Sequence, residues 1–121
     1  MNMKIRNEIM QGETILGIEL GSTRIKGVLI GRDNEPVASG SYDWGNRFED
    51  GIWTYHLEDV WAGIQGCYKN LTDNISEKFG VGVERLGAIG ISGMMHGYIA
   101  TDQEGNWLTT FRTWRNTTYE V

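Results

Sequence analysis

A single cysteine and a single proline stand in 121 residues, and the scarcity of the first already excludes several kinds of protein. Cys67 alone can close no internal disulfide and builds no thiolate cluster for zinc, so a reducing, cytoplasmic compartment is the expectation. Positive charge is also sparse: eleven Lys and Arg against sixteen Asp and Glu give a net charge of −5. Without a basic run or stripe, neither nucleic acid nor an anionic membrane is expected as the main partner. No apolar run approaches the length of a membrane span, and the opening "MNMKIRNEIMQGET" is too polar and too mixed in charge for a signal peptide. Asn-x-Ser/Thr triplets begin at Asn70, Asn74 and Asn116, but the first two fall inside a predicted helix and the triplet is common by chance.

What is present reads as one mixed α/β domain, long enough to bury roughly two thirds of its unfolded surface. Residues 1–13 are expected to be a short arm, disordered at its start. Apolar and β-branched residues then predict a strand over Thr14–Leu20 and a second over Arg24–Ile30. "GRDNEP" at 31–36 is a turn, and a third strand is expected over about Val37–Trp44. The segment 45–55 reads as a polar and aromatic loop with Trp53 and Tyr55 tucked against the body.

Leu57, Val60, Trp61, Ile64, Tyr68, Leu71, Ile75 and Phe79 recur every three or four residues, the clearest helical signature in the chain. Acids Glu58 and Asp59 at its start, Lys78 near its end and Gly80 after it bound a helix over 57–79, about 35 Å long. "LGAIGIS" at 86–92 is then expected to be a central strand covered on both faces. Beyond it come a loop "GMMHG", a short strand "YIATD", a turn "QEGN", an extended "WLTTFRTW", and a second helix that Asn116 or Thr117 would cap.

Three segments could carry chemistry. The hairpin tip Gly21, Ser22, Thr23 can turn backbone N–H groups and two hydroxyls toward one point, a nest for phosphate. Lys26 could add positive charge there, and Glu19 could hold magnesium through water. An ordinary hairpin with Glu19 solvated would account for the same residues. In "SGMMHGY", His96 lies beyond a strand end between two glycines, where crevices often hold ligands, although Met94 and Met95 could equally be gap-filling core. In "FRTWRNT", Trp114 offers a flat apolar face to a sugar while Arg115 and Asn116 offer hydrogen bonds to its hydroxyls.

The order and spacing of these three segments resemble the N-terminal part of the FGGY family of carbohydrate kinases, in the actin-like ATPase superfamily. "IELGSTRIKGVLI" is similar to the superfamily's first phosphate motif, an acid-x-Gly-Ser/Thr-Thr loop between antiparallel strands. "IGISGMMHGYIATDQEGN" is similar to the xylulose kinase segment that reads Ser-Gly-Gln-Met-His-Gly before a strand and an Asp-x-x-Gly turn. "FRTWRNT" falls where those kinases carry a Trp followed by polar sugar-binding residues. The resemblance covers about residues 14–119.

It implies a ribonuclease-H-like (actin-like ATPase) subdomain over 14–121 and phosphoryl transfer from ATP with Mg2+ to a hydroxyl of a small carbohydrate, a pentulose such as xylulose or ribulose. On that reading Gly21, Ser22, Thr23 and Lys26 approach the phosphates, Glu19 sits near the metal through water, and Met95, His96, Trp114, Arg115 and Asn116 border the sugar. The sequence departs from the family pattern in three ways: Glu19 stands for an Asp, Met94 for a Gln, and Arg115-Asn116 for Asn-Asp. The family's catalytic aspartate and adenosine site would lie beyond Val121, so the chain reads as an N-terminal fragment, inactive alone and capable of homodimerising. Two alternatives remain: a stand-alone sugar-binding or interaction module, and a chaperone- or actin-like ATPase of the same superfamily.

Overall fold

The computed structural model describes residues 2–95 and 97–116. Its elements, in chain order, are α1 (Met3–Met10), β1 (Ile15–Leu20), β2 (Arg24–Ile30), β3 (Pro36–Asp43), β4 (Arg47–Glu49), β5 (Ile52–Thr54), α2 (Leu57–Phe79) and β6 (Ala88–Gly93). β1 to β3 form an antiparallel meander, and β6 returns after α2 to pair parallel with β1, giving the sheet order β3-β2-β1-β6. A parallel return needs a crossover, and α2 supplies it.

α2 spans the residues its periodicity predicts, ending at Gly80 in the left-handed conformation (φ 68°). Its apolar stripe packs on the face of the sheet carrying Leu16, Leu29 and Ala38, where Leu71, Ile75 and Phe79 complete the core. Contact is close because β3 presents Gly40 to the helix: a Cβ there would run into the Leu71 backbone nitrogen. The same helix covers the outer edge of β3 with polar side chains four residues apart. Asn74 Oδ1 accepts from the Ser39 N–H (3.1 Å), Asn70 Nδ2 donates to the Ser41 carbonyl (2.8 Å), and Lys78 Nζ donates to the Val37 carbonyl (3.3 Å). Backbone groups that would otherwise template a further strand are thereby occupied.

Several expectations are corrected. The segment read as an arm is helix α1, capped by Asn2, whose Oδ1 accepts from the Ile5 N–H; it buries Ile9 completely in the main core. The segment read as a loop at 45–55 holds the hairpin β4–β5, turning at Asp50 and Gly51, both with positive φ (51° and 76°). That pair of dihedrals is the two-residue turn that Asp-Gly favours. Finally, β6 is not covered on both faces. It is the end strand of the sheet and is exposed at every residue, Ile89 at 57% and Ile91 at 70%, because the contacts of α2 with the sheet are with β2 and β3. The strand read at "YIATD" and the extended segment after it are reduced to two antiparallel bridges, Tyr98 with Arg112 and Thr101 with Trp107. The helix expected from Asn116 or Thr117 lies outside the described residues.

Candidate functional site

The tip of the β1–β2 hairpin is closed by one tight hydrogen bond, Gly21 N–H to the Arg24 carbonyl at 2.9 Å. Its three carbonyls are all occupied by the aromatic segment that follows β3. The Trp44 indole N–H donates to the Gly21 carbonyl (2.7 Å), the Tyr55 hydroxyl to the Ser22 carbonyl (2.9 Å), and the Trp44 backbone N–H to the Thr23 carbonyl (3.1 Å). Trp44 and Tyr55 stack on each other with ring centroids 4.4 Å apart. Burial pushes the Tyr55 phenol up from its ordinary pKa, so it stays a donor through the neutral range.

Ser22 and Thr23 line a pocket of about 720 Å³ together with Gly45, Asn46, Trp53, Trp114 and Arg115. Ser22 and Thr23, assigned by the sequence to phosphate, and Trp114 and Arg115, assigned to sugar, are therefore neighbours around one depression. Arg115 is held there twice: its guanidinium lies 3.6 Å over the Trp53 ring, and its Nη1 donates to Asn46 Oδ1 at 3.3 Å. Among the described residues it faces no carboxylate at ion-pair distance. Trp114 is about half exposed.

Asn116 stands apart from this group. It is buried, its Oδ1 accepts from the Trp53 N–H (2.8 Å), and its Nδ2 donates to the Trp53 and Thr113 carbonyls (2.7 and 3.2 Å). The amide that the sequence offered to a sugar is engaged in fastening the 113–116 segment to β5. Met95 is exposed and lines none of the pockets described here, whereas Met94 enters an apolar pocket of about 560 Å³ with Trp44, Tyr55, Trp107 and Phe111. His96 lies outside the described residues.

Glu19 and Lys26 occupy a different surface. They are direct cross-strand partners on the sheet face away from α2, and Glu19 is also in register with Ser92 of β6. With Gly17, Val28 and Gly90 they line a shallow groove of about 450 Å³. Among the described residues no group of three His, Cys, Asp or Glu side chains could enclose a metal ion. A lone Glu19 carboxylate suits magnesium that keeps most of its waters and takes its remaining oxygens from a phosphate, which is the usual way this ion is held. Hydrogen bonds from Asn106, then Glu104 and Gly105, hold the Asp102 carboxyl below the usual carboxylate range in a closed turn.

Sequence reasoning passed over Trp44 and Asn46 and gave Trp53 and Tyr55 only a packing role. The available signal was the density of aromatics in "WGNRFEDGIWTY" around an Asp-Gly turn, too many rings for a solvated loop.

The model of the FGGY family of carbohydrate kinases, N-terminal domain, matches residues 14–120. A glycerol kinase from Gluconobacter oxydans (strain 621H) is 23% identical over 93 residues, which are 76% of this chain and 17% of the relative. Among solved structures, a xylulose kinase from Brucella ovis superposes with a TM-score of 0.72 at 24% identity, covering 87% of this chain and 22% of that one. A gluconate kinase from Lactobacillus acidophilus gives 0.63 at 25% identity over 84% of this chain and 19% of its own. The chain thus spans about one fifth of the length of the relatives it matches.

Proposed function

We propose that this chain, which belongs to the FGGY family of carbohydrate kinases, supplies the phosphate-gripping and sugar-facing walls of an ATP-dependent kinase acting on a hydroxyl of a small carbohydrate. The observation that carries this reading is the pocket shared by Ser22 and Thr23 with Trp114 and Arg115. Phosphoryl transfer needs donor and acceptor held together and charge neutralised, with little covalent work from the protein. The Ser22 and Thr23 amides and hydroxyls are the donors offered to phosphate oxygens. The exposed Trp114 ring is a platform for the apolar face of a sugar, and Arg115, fixed by Trp53 and Asn46, presents its remaining N–H groups to oxygens beside it. Mg2+, when bound, would offset phosphate charge, with Glu19 as the carboxylate that orders its waters and Lys26 as added positive charge on the same face. The base that accepts the sugar proton is assigned to none of the described carboxylates.

A pentulose such as xylulose or ribulose is the proposed substrate, supported by the likeness to the Brucella ovis enzyme. Arg115 supports a second reading. A guanidinium with no carboxylate partner among the described residues, beside hydroxyls and a Trp face, also suits a polyhydroxy acid, whose carboxylate would pair with it. A coupled assay of ADP release from the protein bearing this sequence, run with pentuloses, polyols and aldonic acids, separates the two. Turnover of a neutral sugar and not of acids supports the first, the reverse supports the second, and no ADP with any of them overturns the kinase reading. Sugar binding by calorimetry with no nucleotide effect would then favour a binding module, and sugar-independent ATP hydrolysis a chaperone- or actin-like ATPase.

A further inference from the structure

We infer that Trp44 and Tyr55 are positioning residues that set the polarity of the 21–23 loop, holding its carbonyls away from an anion so that amides and hydroxyls alone face it. The inference rests on the phosphate-loop reading given above and adds residues that neither the family motif nor the sugar-binding segments contain. A hairpin tip of three residues presents acceptors as well as donors, and a carbonyl turned toward phosphate repels it. Here each carbonyl of Gly21, Ser22 and Thr23 is engaged by a donor from one short stretch of chain, at 2.7, 2.9 and 3.1 Å. The Ser22 and Thr23 amides have no backbone acceptor among the described residues. Three consecutive carbonyls tied to one wall leave the donors of the same peptides for the other side.

The wall is built to hold its donors still. Tyr55 is 2% exposed, stacked on Trp44 and 5.8 Å from the Phe111 ring, and its hydroxyl also lies 3.5 Å from Met94 Sδ. That hydroxyl is therefore a corner where the loop after β1 meets the loop after β6. Both indole and phenol donate through a rigid ring, so the loop is fixed at little entropic cost when a ligand arrives, and preorganisation of this kind favours binding.

The test uses Tyr55→Phe, which removes one oxygen and keeps the ring stack, with Trp44→Phe as its partner for the indole N–H. In steady-state kinetics of the protein bearing this sequence, each variant is expected to raise the KM for ATP about three- to tenfold while leaving the sugar KM within twofold, as for one lost neutral hydrogen bond. A general loss of fold would move both constants. A second readout does not depend on turnover: the Gly21 and Trp44 amides, bonded across the loop, should exchange with deuterium several-fold faster in Tyr55→Phe, and tripolyphosphate should bind correspondingly less tightly. If exchange and tripolyphosphate affinity equal those of the parent, or if the sugar KM rises as much as that for ATP, the positioning role is overturned. If the parent transfers no phosphate but the exchange and tripolyphosphate effects appear, the kinase reading fails and the positioning role stands.

Discussion

Thr23 and Lys26 differ in what their side chains face, and their substitutions should differ accordingly. Thr23→Ala removes a hydroxyl from the shared pocket and Lys26→Ala a charge from the outer sheet face, and each is expected to weaken ATP use by ~1–3 kcal/mol, read as kcat/KM for ATP. His96→Ala is expected to raise mainly the sugar KM; kinetics identical to the parent in all three would remove these assignments. Asn116 is different in kind. With both amide atoms bonded to backbone, Asn116→Ala leaves the Trp53 N–H without its partner, while the Trp53 carbonyl keeps the Thr113 N–H, and should cost about 1–3 kcal/mol of stability in urea titration. A ligand-binding defect at unchanged stability would contradict that role. Sequence could not distinguish the two, since a short amide after a Trp reads the same whether it faces a sugar hydroxyl or a peptide. Arg115 was legible as a polar group near a ring, but its stacking on Trp53 joins residues 62 apart in number, beyond what any local pattern carries.

The elements whose signal is periodic were fully legible. α2 begins and ends where Leu57 and Phe79 predict, and β1 and β2 match to within a residue. β4 and β5 were missed because three-residue strands give alternation too little length, although Asp50-Gly51 was a turn signal in plain view. α1 was missed because half of Met3–Met10 is polar and the segment is short; its Asn cap and the Ile5 and Ile9 spacing carried the information. Gly40 tests how tightly these elements are fitted. A methyl there meets backbone of α2, which cannot rotate away, so Gly40→Ala should lower stability by about 1–3 kcal/mol, whereas Gly17→Ala, with only the Val28 carbonyl at 3.9 Å, should be well tolerated. The β4–β5 hairpin is tied to the first turn of α2 by Arg47, which reaches both Asp59 oxygens at 2.8 and 2.9 Å and holds that carboxyl below its ordinary pKa. A carboxyl lowered on folding stabilises above its unfolded pKa and loses that contribution as pH falls through the folded value. Asp59→Asn should therefore flatten the acid limb of the stability curve below about pH 4, and only slightly, since the pair lies close to solvent. Unchanged acid sensitivity would show the pair to be idle.

At the scale of the molecule the two edges of the sheet are treated differently. Asn70, Asn74 and Lys78 occupy the backbone of β3, while among the described residues β6 has no strand on its outer edge and shows Ile89 and Ile91 to solvent. Exposed apolar strand of this kind favours association, so the 121-residue chain is expected to self-associate with concentration in sedimentation, and Ile91→Lys to reduce it; a monomer at every concentration would contradict this. The succession of three strands, a helix and a further strand was legible from the sequence, but the exposure of β6 was not, because a run such as "AIGIS" reports what a strand is suited to face and not what stands beside it. The claim on which the functional account turns is that the polar loop between β1 and β2 grips phosphate. Titration of Mg-ATP into the isotope-labelled chain, followed at backbone amides, tests it most directly. The account predicts the largest saturable shifts at Ser22 and Thr23, reproduced by tripolyphosphate alone; shifts confined to residues away from the loop, or none at millimolar ligand, would contradict it.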